Sequence, residues 1–249
     1  MEAKILLIDI ETSPNVAYVW GKWEQNVIDF EKEWRIICFS AKWLDGSHTT
    51  KCLADYKGHK TWDDDEALVK DLWKLCDEAD VIIAHNGDSF DIKKMNARFT
   101  AYGLQPPSPY KTIDTKKVAK KYFAFNSNSL NDLGKHLGLG KKVETGGFEL
   151  WLGCMRGDAK AWSKMKRYNK RDVVLLEKIY LHLRPWMKTH PNVSGTLRSC
   201  PRCSGSRIQS RGYQVNSNGI IYRRYHCQKC GGWSKERQGE GARSELTTI

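Results

Sequence analysis

Apolar and polar positions along the chain change period several times, and each change marks an element. From Lys4 to Ile10, five of seven residues are aliphatic. A continuous run of this kind predicts a strand buried on both faces, in the middle of a sheet. Ser13-Pro14 breaks it. Arg35 to Trp43 and His48 to Leu53 read as two further strands with a hairpin turn at Asp45-Gly46. The aromatic stretch from Ala17 to Trp23 fits either a short strand or a loop over a site. From Trp62 to Ala79 the period becomes helical, with Leu68, Leu72, Leu75 and Cys76 as the buried stripe. Asp63, Asp64 and Asp65 offer an N-cap for that helix.

Val81 to Ala84 predicts a short buried strand, His85 to Asp88 a turn, and Ser89 to Tyr102 a helix. After the loop at Pro106 to Pro109, Lys111 to Asp114 reads as one more strand. Helices follow at Thr115–Tyr122 and Ser129–Leu137, the latter closed by Gly138. Thr145-Gly146-Gly147 is a break, and the longest helix runs from Ala159 to Leu183, stopping before Pro185. Strands first, then strands alternating with helices, predict an α/β fold: a mixed five-stranded sheet flanked by helices.

A length of 249 residues allows one large domain and a small appendage. Residues 1–186 form the large domain in this reading, 187–197 a linker, 198–235 the appendage and 236–249 a polar, loose tail. No apolar run is long enough to cross a bilayer and no signal-peptide pattern is present, so a cytoplasmic protein is expected, with no membrane partner.

The net charge of +12 favours a polyanionic partner, nucleic acid above all, although a merely basic surface gives the same total. From residue 187 onward, 11 lysines and arginines face three glutamates, a surplus of +8. Tyr213, Tyr222, Tyr225 and Trp233 are interleaved with those bases. Arg223, Arg224 and Trp233 are therefore candidate nucleic-acid contacts, arginines for phosphate and rings for bases. The alternative is that the aromatics form the appendage's own small core.

Eight cysteines divide into two groups. Cys38, Cys52, Cys76 and Cys154 are scattered in apolar contexts and read as reduced core thiols. Cys200, Cys203, Cys227 and Cys230 form two C-x₂-C knuckles, the spacing of a structural zinc ribbon. Redox pairs or disulfides are the competing reading. Gln214, Val215 and Ile220 to Tyr225 supply the ribbon's hairpin strands, with Asn218-Gly219 near the turn.

Four acidic residues, at three places in the chain, carry the candidate chemistry. Asp9 and Glu11 lie two apart at the end of the first strand and so share a face. Two carboxylates at ~4 Å repel by roughly 4 kcal/mol at an effective dielectric of about 20, and a bound cation removes that cost. Otherwise the strand ends at Ile8 and both acids point to water. Asp172 sits on the buried stripe of the longest helix, four residues from Tyr168 and from Leu176, and needs a partner there: a metal, or a lysine or arginine. Asp91 begins a helix after a strand's carboxyl end, where sites form in α/β sheets, or where an acid complements the helix dipole.

In order, Asp9-Ile10-Glu11-Thr12, Asn86 to Phe90-Asp91, and Tyr168 to Asp172 resemble the three motifs of the DEDD superfamily of 3′–5′ exonucleases. They are most similar to the exonuclease domain of family B DNA polymerases and its stand-alone phage and bacterial relatives. The resemblance covers about residues 1–186. Arg167 stands where the histidine branch has its histidine, so Tyr168 points to the tyrosine branch. His85 is expected to be structural or to line the substrate.

The resemblance implies a ribonuclease H-like fold and a bacterial or phage-infected cell. It implies Asp9, Glu11, Asp91 and Asp172 as ligands of two Mg²⁺ or Mn²⁺ ions, and Tyr168 as the group that orients the attacking water. It also places Thr12, Asn86 and Phe90 at the terminal nucleotide. Single-stranded DNA is the expected substrate, favoured over RNA, with replication or repair proteins as candidate partners. The alternatives are structure-specific or endonucleolytic cleavage, and a non-catalytic nucleic-acid-binding module on the same fold.

Overall fold

The computed structural model describes residues 3–23, 26–56, 62–196, 198–239 and 246–248. Its central strand, β1 (Ile5–Thr12), lies in a five-stranded sheet with β4 (Ile36–Trp43), β5 (His48–Cys52), β6 (Val81–Ala84) and β7 (Lys111–Asp114). The order is β5-β4-β1-β6-β7. β1 runs antiparallel to β4 and parallel to β6, so the sheet is mixed. Both faces of β1 are covered, as its unbroken apolar run requires. Leu6, Ile8 and Ile10 meet the helices α1 (Glu66–Asp77) and α2 (Asp91–Ala101). Ile5 and Leu7 meet α3 (Thr115–Tyr122), α4 (Leu130–His136) and the C-terminal half of α6 (Ala159–Leu183). Asp9 and Glu11 continue the Ile5–Leu7 face, which α6 covers.

The expected ribonuclease H-like sheet and helices are therefore present, with local differences. A short helix, α5 (Glu149–Met155), follows the break at Gly147 and carries no extended periodicity that would announce it. Val16–Tyr18 (β2) and Asp29–Lys32 (β3) pair as a separate hairpin, which settles the open reading of the aromatic stretch. Tyr18, Trp20, Trp23 and Phe30 are exposed on and beside this hairpin, Trp20 by 89%.

α1 begins at Glu66, not Trp62; Asp65 holds the N-cap position, but its side chain makes no capping bond. Asp65 is fully buried, where it accepts from Arg98 Nε and Nη2 at 3.0 and 2.5 Å, from Tyr102 Oη at 2.6 Å and from Ile36 N at 2.8 Å. It ties α1 to α2 and β4 as a buried ion pair, not as a dipole complement. The next helix likewise starts later than expected, at Asp91, since Asn86 to Phe90 form the preceding turn. Cys38 and Cys52 are not scattered thiols: β4 and β5 place them opposite each other, 4.0 Å between Cα atoms, joined as a disulfide. Cys76 and Cys154 are free and buried.

Beyond α6, Met187, His190 and Val193 are buried, so the expected linker packs against the domain. Leu197, the linker's last residue, lies outside the described residues. A second sheet follows, β11-β10-β9-β8, built from Ile208–Val215 (β8), Ile221–Cys227 (β9), Trp233–Arg237 (β10) and Thr247–Thr248 (β11). The expected hairpin turns at Asn216 to Ile220. The tail expected to be loose is partly ordered: Glu236 and Arg237 pair with Arg223 and Tyr222, and Thr247 and Thr248 return to β10. β10 would otherwise be an open edge. Residues 240–245 and 249 of that tail lie outside the described residues.

Candidate active site

The C-terminal end of β1 brings three acids together. One carboxylate oxygen from each of Asp9, Glu11 and Asp172 lies within 4.8 Å of the other two. Asp9 and Glu11 share a strand face, and Asp172 descends on them from the buried side of α6. A register shift between Glu11 and Thr12, where β1 leaves β4, ends the regular ladder beside the cluster. Asp91 stands alongside as the first residue of α2. Its Oδ1 accepts from Ile10 N at 3.1 Å, the amide between the two strand acids.

The turn that delivers Asp91 depends on its sequence. Asn86 has a left-handed φ of 68°, and its amide donates to Asp114 Oδ1 at 2.9 Å. A Cβ at position 87 would lie 2.4 Å from Ala84 Cβ, so only glycine lets the turn close over β6. Phe90 is 38% exposed beside Asp91. Lys94 Nζ lies 3.5 Å from the Trp34 ring centroid and 5.7 Å from that of Phe90. His85 is spent on structure, reaching Thr115 Oγ1 at 2.8 Å and Asn128 O at 2.9 Å. Burial lowers its pKa to about 4, so it is neutral at neutral pH.

Two residues of the cluster have no counterpart in the motifs. Asn169, fully buried, donates to Asp9 Oδ2 at 2.6 Å and Asp9 O at 3.2 Å. It lies three residues before Asp172, on the same helix face, which is the signal that marks it. Lys142 comes from the stretch between α4 and α5, and its Nζ is 2.6 Å from Asp172 Oδ2 and 5.0 Å from the Tyr168 ring centroid. Lys135, Lys141 and Lys142 line an open cleft together with Asn131 and Tyr168.

The electrostatics of the cluster follow from crowding and desolvation. Asp9 and Glu11 are half-buried by surface, yet protein surrounds them closely enough to desolvate them. Burial raises Asp9 well above the carboxylate range, and the charges of Glu11, Asp91 and Asp172 add to it. Burial pushes Glu11 up to about 8, with Lys142 opposing and Asp172 and Asp91 adding. Asp91 rises to about 7 for the same first reason, against the Ile10 amide bond. Asp172 also rises through burial, with Lys142 opposing. Burial and the Glu11 and Asp172 charges raise the Tyr168 phenol, so it is neutral and unsuited to act as a base.

Asp172 Oδ1 is buried with no hydrogen-bond donor among the described residues. A buried carboxylate with an oxygen free of hydrogen bonds, gathered with two other acids, is the donor set that hard divalent cations take. The residues present therefore fit such ions.

The four ribbon cysteines form the second cluster, again with ligand atoms within 4.8 Å of one another. Cys200 and Cys230 sulfurs are 3.6 Å apart, and Cys203 and Cys227 sulfurs 3.7 Å. Tetrahedral zinc with Zn–S bonds of about 2.3 Å holds sulfurs about 3.8 Å apart, so this cluster also fits its metal. Arg202, counted above with the ribbon's bases, is only 1% exposed. It donates from Nε and Nη2 to Met187 O at 3.0 and 2.9 Å and from Nη1 to Trp233 O, so it anchors the ribbon. Val193 N bonds Pro201 O at 2.8 Å, and Ala3 N reaches Val193 O at 3.4 Å. The ribbon is thus seated at the start of β1 and the end of α6, away from the carboxylates.

A mixed sheet in this order, with acids at the end of its central strand and on the covering helix, defines a ribonuclease H-like α/β protein. The chain belongs to the RNase_H superfamily, whose family model matches residues 7–184. In structure it is similar to the family B DNA polymerase from the hyperthermophilic archaeon Pyrobaculum calidifontis, with a TM-score of 0.51 at 14% identity. The match covers 74% of this chain and 25% of the polymerase chain, so this protein spans about a quarter of that enzyme's length. The resemblance to family B polymerases expected from the motifs is borne out at the level of fold. No curated protein matches the chain. No helix among the described residues is long and apolar enough to cross a membrane.

Proposed function

We propose that the protein is a metal-dependent nuclease, and more narrowly a 3′–5′ exonuclease of the tyrosine branch acting on single-stranded DNA. The observation that carries this reading is the gathering of Asp9, Glu11 and Asp172 within 4.8 Å, from a strand and a helix some 160 residues apart in sequence. Desolvated acids this close are costly unless a cation joins them. Superfamily membership and the fold shared with a polymerase support the same reading.

Asp9, Glu11, Asp91 and Asp172 would hold two Mg²⁺ or Mn²⁺ ions. Such ions acidify a water and stabilise a leaving 3′ oxygen. Asn169 fixes the Asp9 carboxylate, and Tyr168, neutral, orients the water by hydrogen bonding rather than by taking its proton. Lys142 stands beside Asp172, where it can meet the negative charge of a phosphate, and Lys135 and Lys141 continue that path. Thr12, Asn86 and Phe90 border the place of the terminal nucleotide.

In this account residues 1–186 are the nuclease unit, 187–197 the joint and 198–235 a ribbon held by one Zn²⁺ on its four cysteines. A domain this small needs the metal to fold. The protein would work in the cytoplasm of a bacterial or phage-infected cell, beside replication or repair proteins.

The test is turnover of single-stranded DNA, duplex DNA and RNA with and without Mg²⁺. The proposal expects metal-dependent release of mononucleotides, fastest from single-stranded DNA. Tight binding of all three without any cleavage would leave a non-catalytic module instead.

A further inference from the structure

We infer that one face of the ribbon sheet, bearing Tyr222, Arg224, His226, Trp233, Lys235 and Arg237, is a surface for a single nucleic-acid strand, separate from the carboxylate cleft. The inference rests on the reading that the protein acts on nucleic-acid strands, and it assigns the part of the strand away from the reacting end.

In the β9–β10 ladder, residues opposite each other point the same way. The pairs Tyr222–Arg237, Arg224–Lys235 and His226–Trp233 therefore share one face. Arg223–Glu236 and Tyr225–Ser234 share the other, joined there by Tyr213 of β8. The two faces differ in chemistry. On the second, Tyr225 donates to Glu236 at 2.7 Å and Arg223 Nε donates to Ser210 at 2.9 Å. Arg223 also lies 6.0 and 5.9 Å from the Tyr213 and Tyr225 rings. Its groups are occupied by one another.

The first face has no acid in those three pairs. Among the described residues Arg224, Lys235 and Arg237 form no ion pair; Arg224 Nη2 donates to Arg211 O at 3.2 Å, and its Nε is buried without a hydrogen-bond partner. Lys235 Nζ lies 4.3 Å from the Tyr222 ring centroid, and the His226 and Trp233 rings are 5.0 Å apart. Rings four residues apart on a strand are about 13 Å apart, with the cationic Arg224–Lys235 row midway. Rings to stack bases, with cations between them for the phosphates, is the pattern of single-strand binding. The basic surplus beyond residue 186, +8 with neutral thiols and about +6 once four thiolates hold one Zn²⁺, supplies the matching long-range attraction. Of the three ribbon residues expected to touch the strand, Arg224 and Trp233 lie on this face and Arg223 on the other.

The ribbon's seat adds a length requirement. Along α6 alone, Asp172 and Leu183 are about 16 Å apart. A strand held at both places must span the domain, so only long strands gain from the second contact.

The test uses full-length, zinc-loaded protein made inactive by Asp9→Asn. Binding is measured by fluorescence anisotropy with labelled oligothymidylates of about 40 and about 6 nucleotides across a salt series. Arg224→Ala/Lys235→Ala should weaken long-strand binding about tenfold or more and lower the salt slope by about 1.4, or about 0.7 per lost phosphate contact. Short-strand binding should change less than about twofold. Trp233→Ala, which keeps every charge, should weaken long-strand binding about fivefold or more. Arg198→Ala/Arg223→Ala removes equal charge away from this face, since Arg198 lies by Tyr225 and Arg223 opposite Glu236, and should cost much less. Zinc content verifies folding, and if the first pair loses zinc, Lys235→Gln/Arg237→Gln replaces it.

Equal losses from both double variants, or no loss from the first, would overturn the assignment. Cleavage by the otherwise wild-type protein is scored separately. Face-specific binding without cleavage would refute the nuclease and leave this surface standing, and cleavage without face-specific binding would do the reverse.

Discussion

Lys142 Nζ lies 2.6 Å from Asp172 Oδ2, on a side chain that is 31% exposed while that of Asp172 is fully buried. A lysine from outside the regular elements thus offsets part of the charge of four crowded acids. Burial alone would lower its pKa, but the Asp172 charge, with hydrogen bonds to Asp172 and Tyr168, holds the ammonium above its usual range.

Lys142→Ala should destabilise the protein in magnesium-free buffer by about 1–3 kcal/mol, a value between those of surface and buried pairs. Added Mg²⁺ should recover more stability in the variant than in the wild type. Urea denaturation with and without Mg²⁺ measures both, and an unaffected magnesium-free midpoint would show that the pair carries no stability.

Asp9→Asn and Asp172→Asn each remove a proposed metal ligand and one repelling charge. Activity should fall about 10³-fold or more, while stability without Mg²⁺ holds or rises slightly. In the Asp9→Asn variant the new side-chain amide keeps an oxygen that Asn169 can still engage, which helps the fold survive. Steady-state turnover and thermal melts check the pair, and wild-type turnover in either variant would remove the metal assignment.

The pH dependence of magnesium-free stability follows from the raised acids. Unfolded carboxylates titrate near pH ~4, whereas burial places Glu11 at about 8 and Asp91 at about 7. Between those values the native state holds protons that the unfolded state has lost, so stability falls as pH rises from about 4 to about 8. The lowered Asp71, in which the Lys51 and Tyr56 bonds outweigh burial, acts oppositely, and its contribution is lost below about pH 4. Melting temperatures across this range should decline without Mg²⁺, and Glu11→Gln should flatten the decline. A melting temperature that rises steadily from about pH 5 to about pH 8 in both proteins would contradict the electrostatic picture.

Much of this was legible in sequence, for local reasons. β1 and α6 are long and strongly periodic, and each displays its acid as a break in its own apolar pattern. The bounds of α3 and α6 coincide with those read from periodicity and proline. What the pattern could not show depends on contacts distant in sequence. Lys142 looks like one more charge in a basic stretch until α6 sets Asp172 beside it. Asp65 satisfies every rule for a cap, yet Arg98 and Tyr102 on another helix claim it. Cys38 and Cys52 become a pair only through the β4–β5 register. The seat of the ribbon rests on Arg202, whose burial no local pattern reveals.

That seat sets where the chain can be cut. Met187 and Val193 are part of the core beside α6, and Ala3 bonds to Val193. A chain ending at Gly195 should therefore fold and retain magnesium-dependent cleavage of short strands. A chain ending at Trp186 should be less stable by about 3–6 kcal/mol, from lost burial of the Met187 and Val193 side chains at about 1.5–3 kcal/mol each. Paired denaturation curves test the difference, and equal stabilities would mean that the joint contributes nothing.

The most direct measurement is cleavage of one single-stranded oligonucleotide labelled at either end, with Mg²⁺ supplied or omitted. A 3′–5′ exonuclease built on Asp9, Glu11, Asp91 and Asp172 should release a 3′ label at once as a mononucleotide. A 5′ label should appear in a ladder shortening one nucleotide at a time, and neither should occur without Mg²⁺ or with Asp9→Asn. Release of the 5′ label first, internal fragments before terminal ones, or undiminished cleavage without divalent metal would contradict the account.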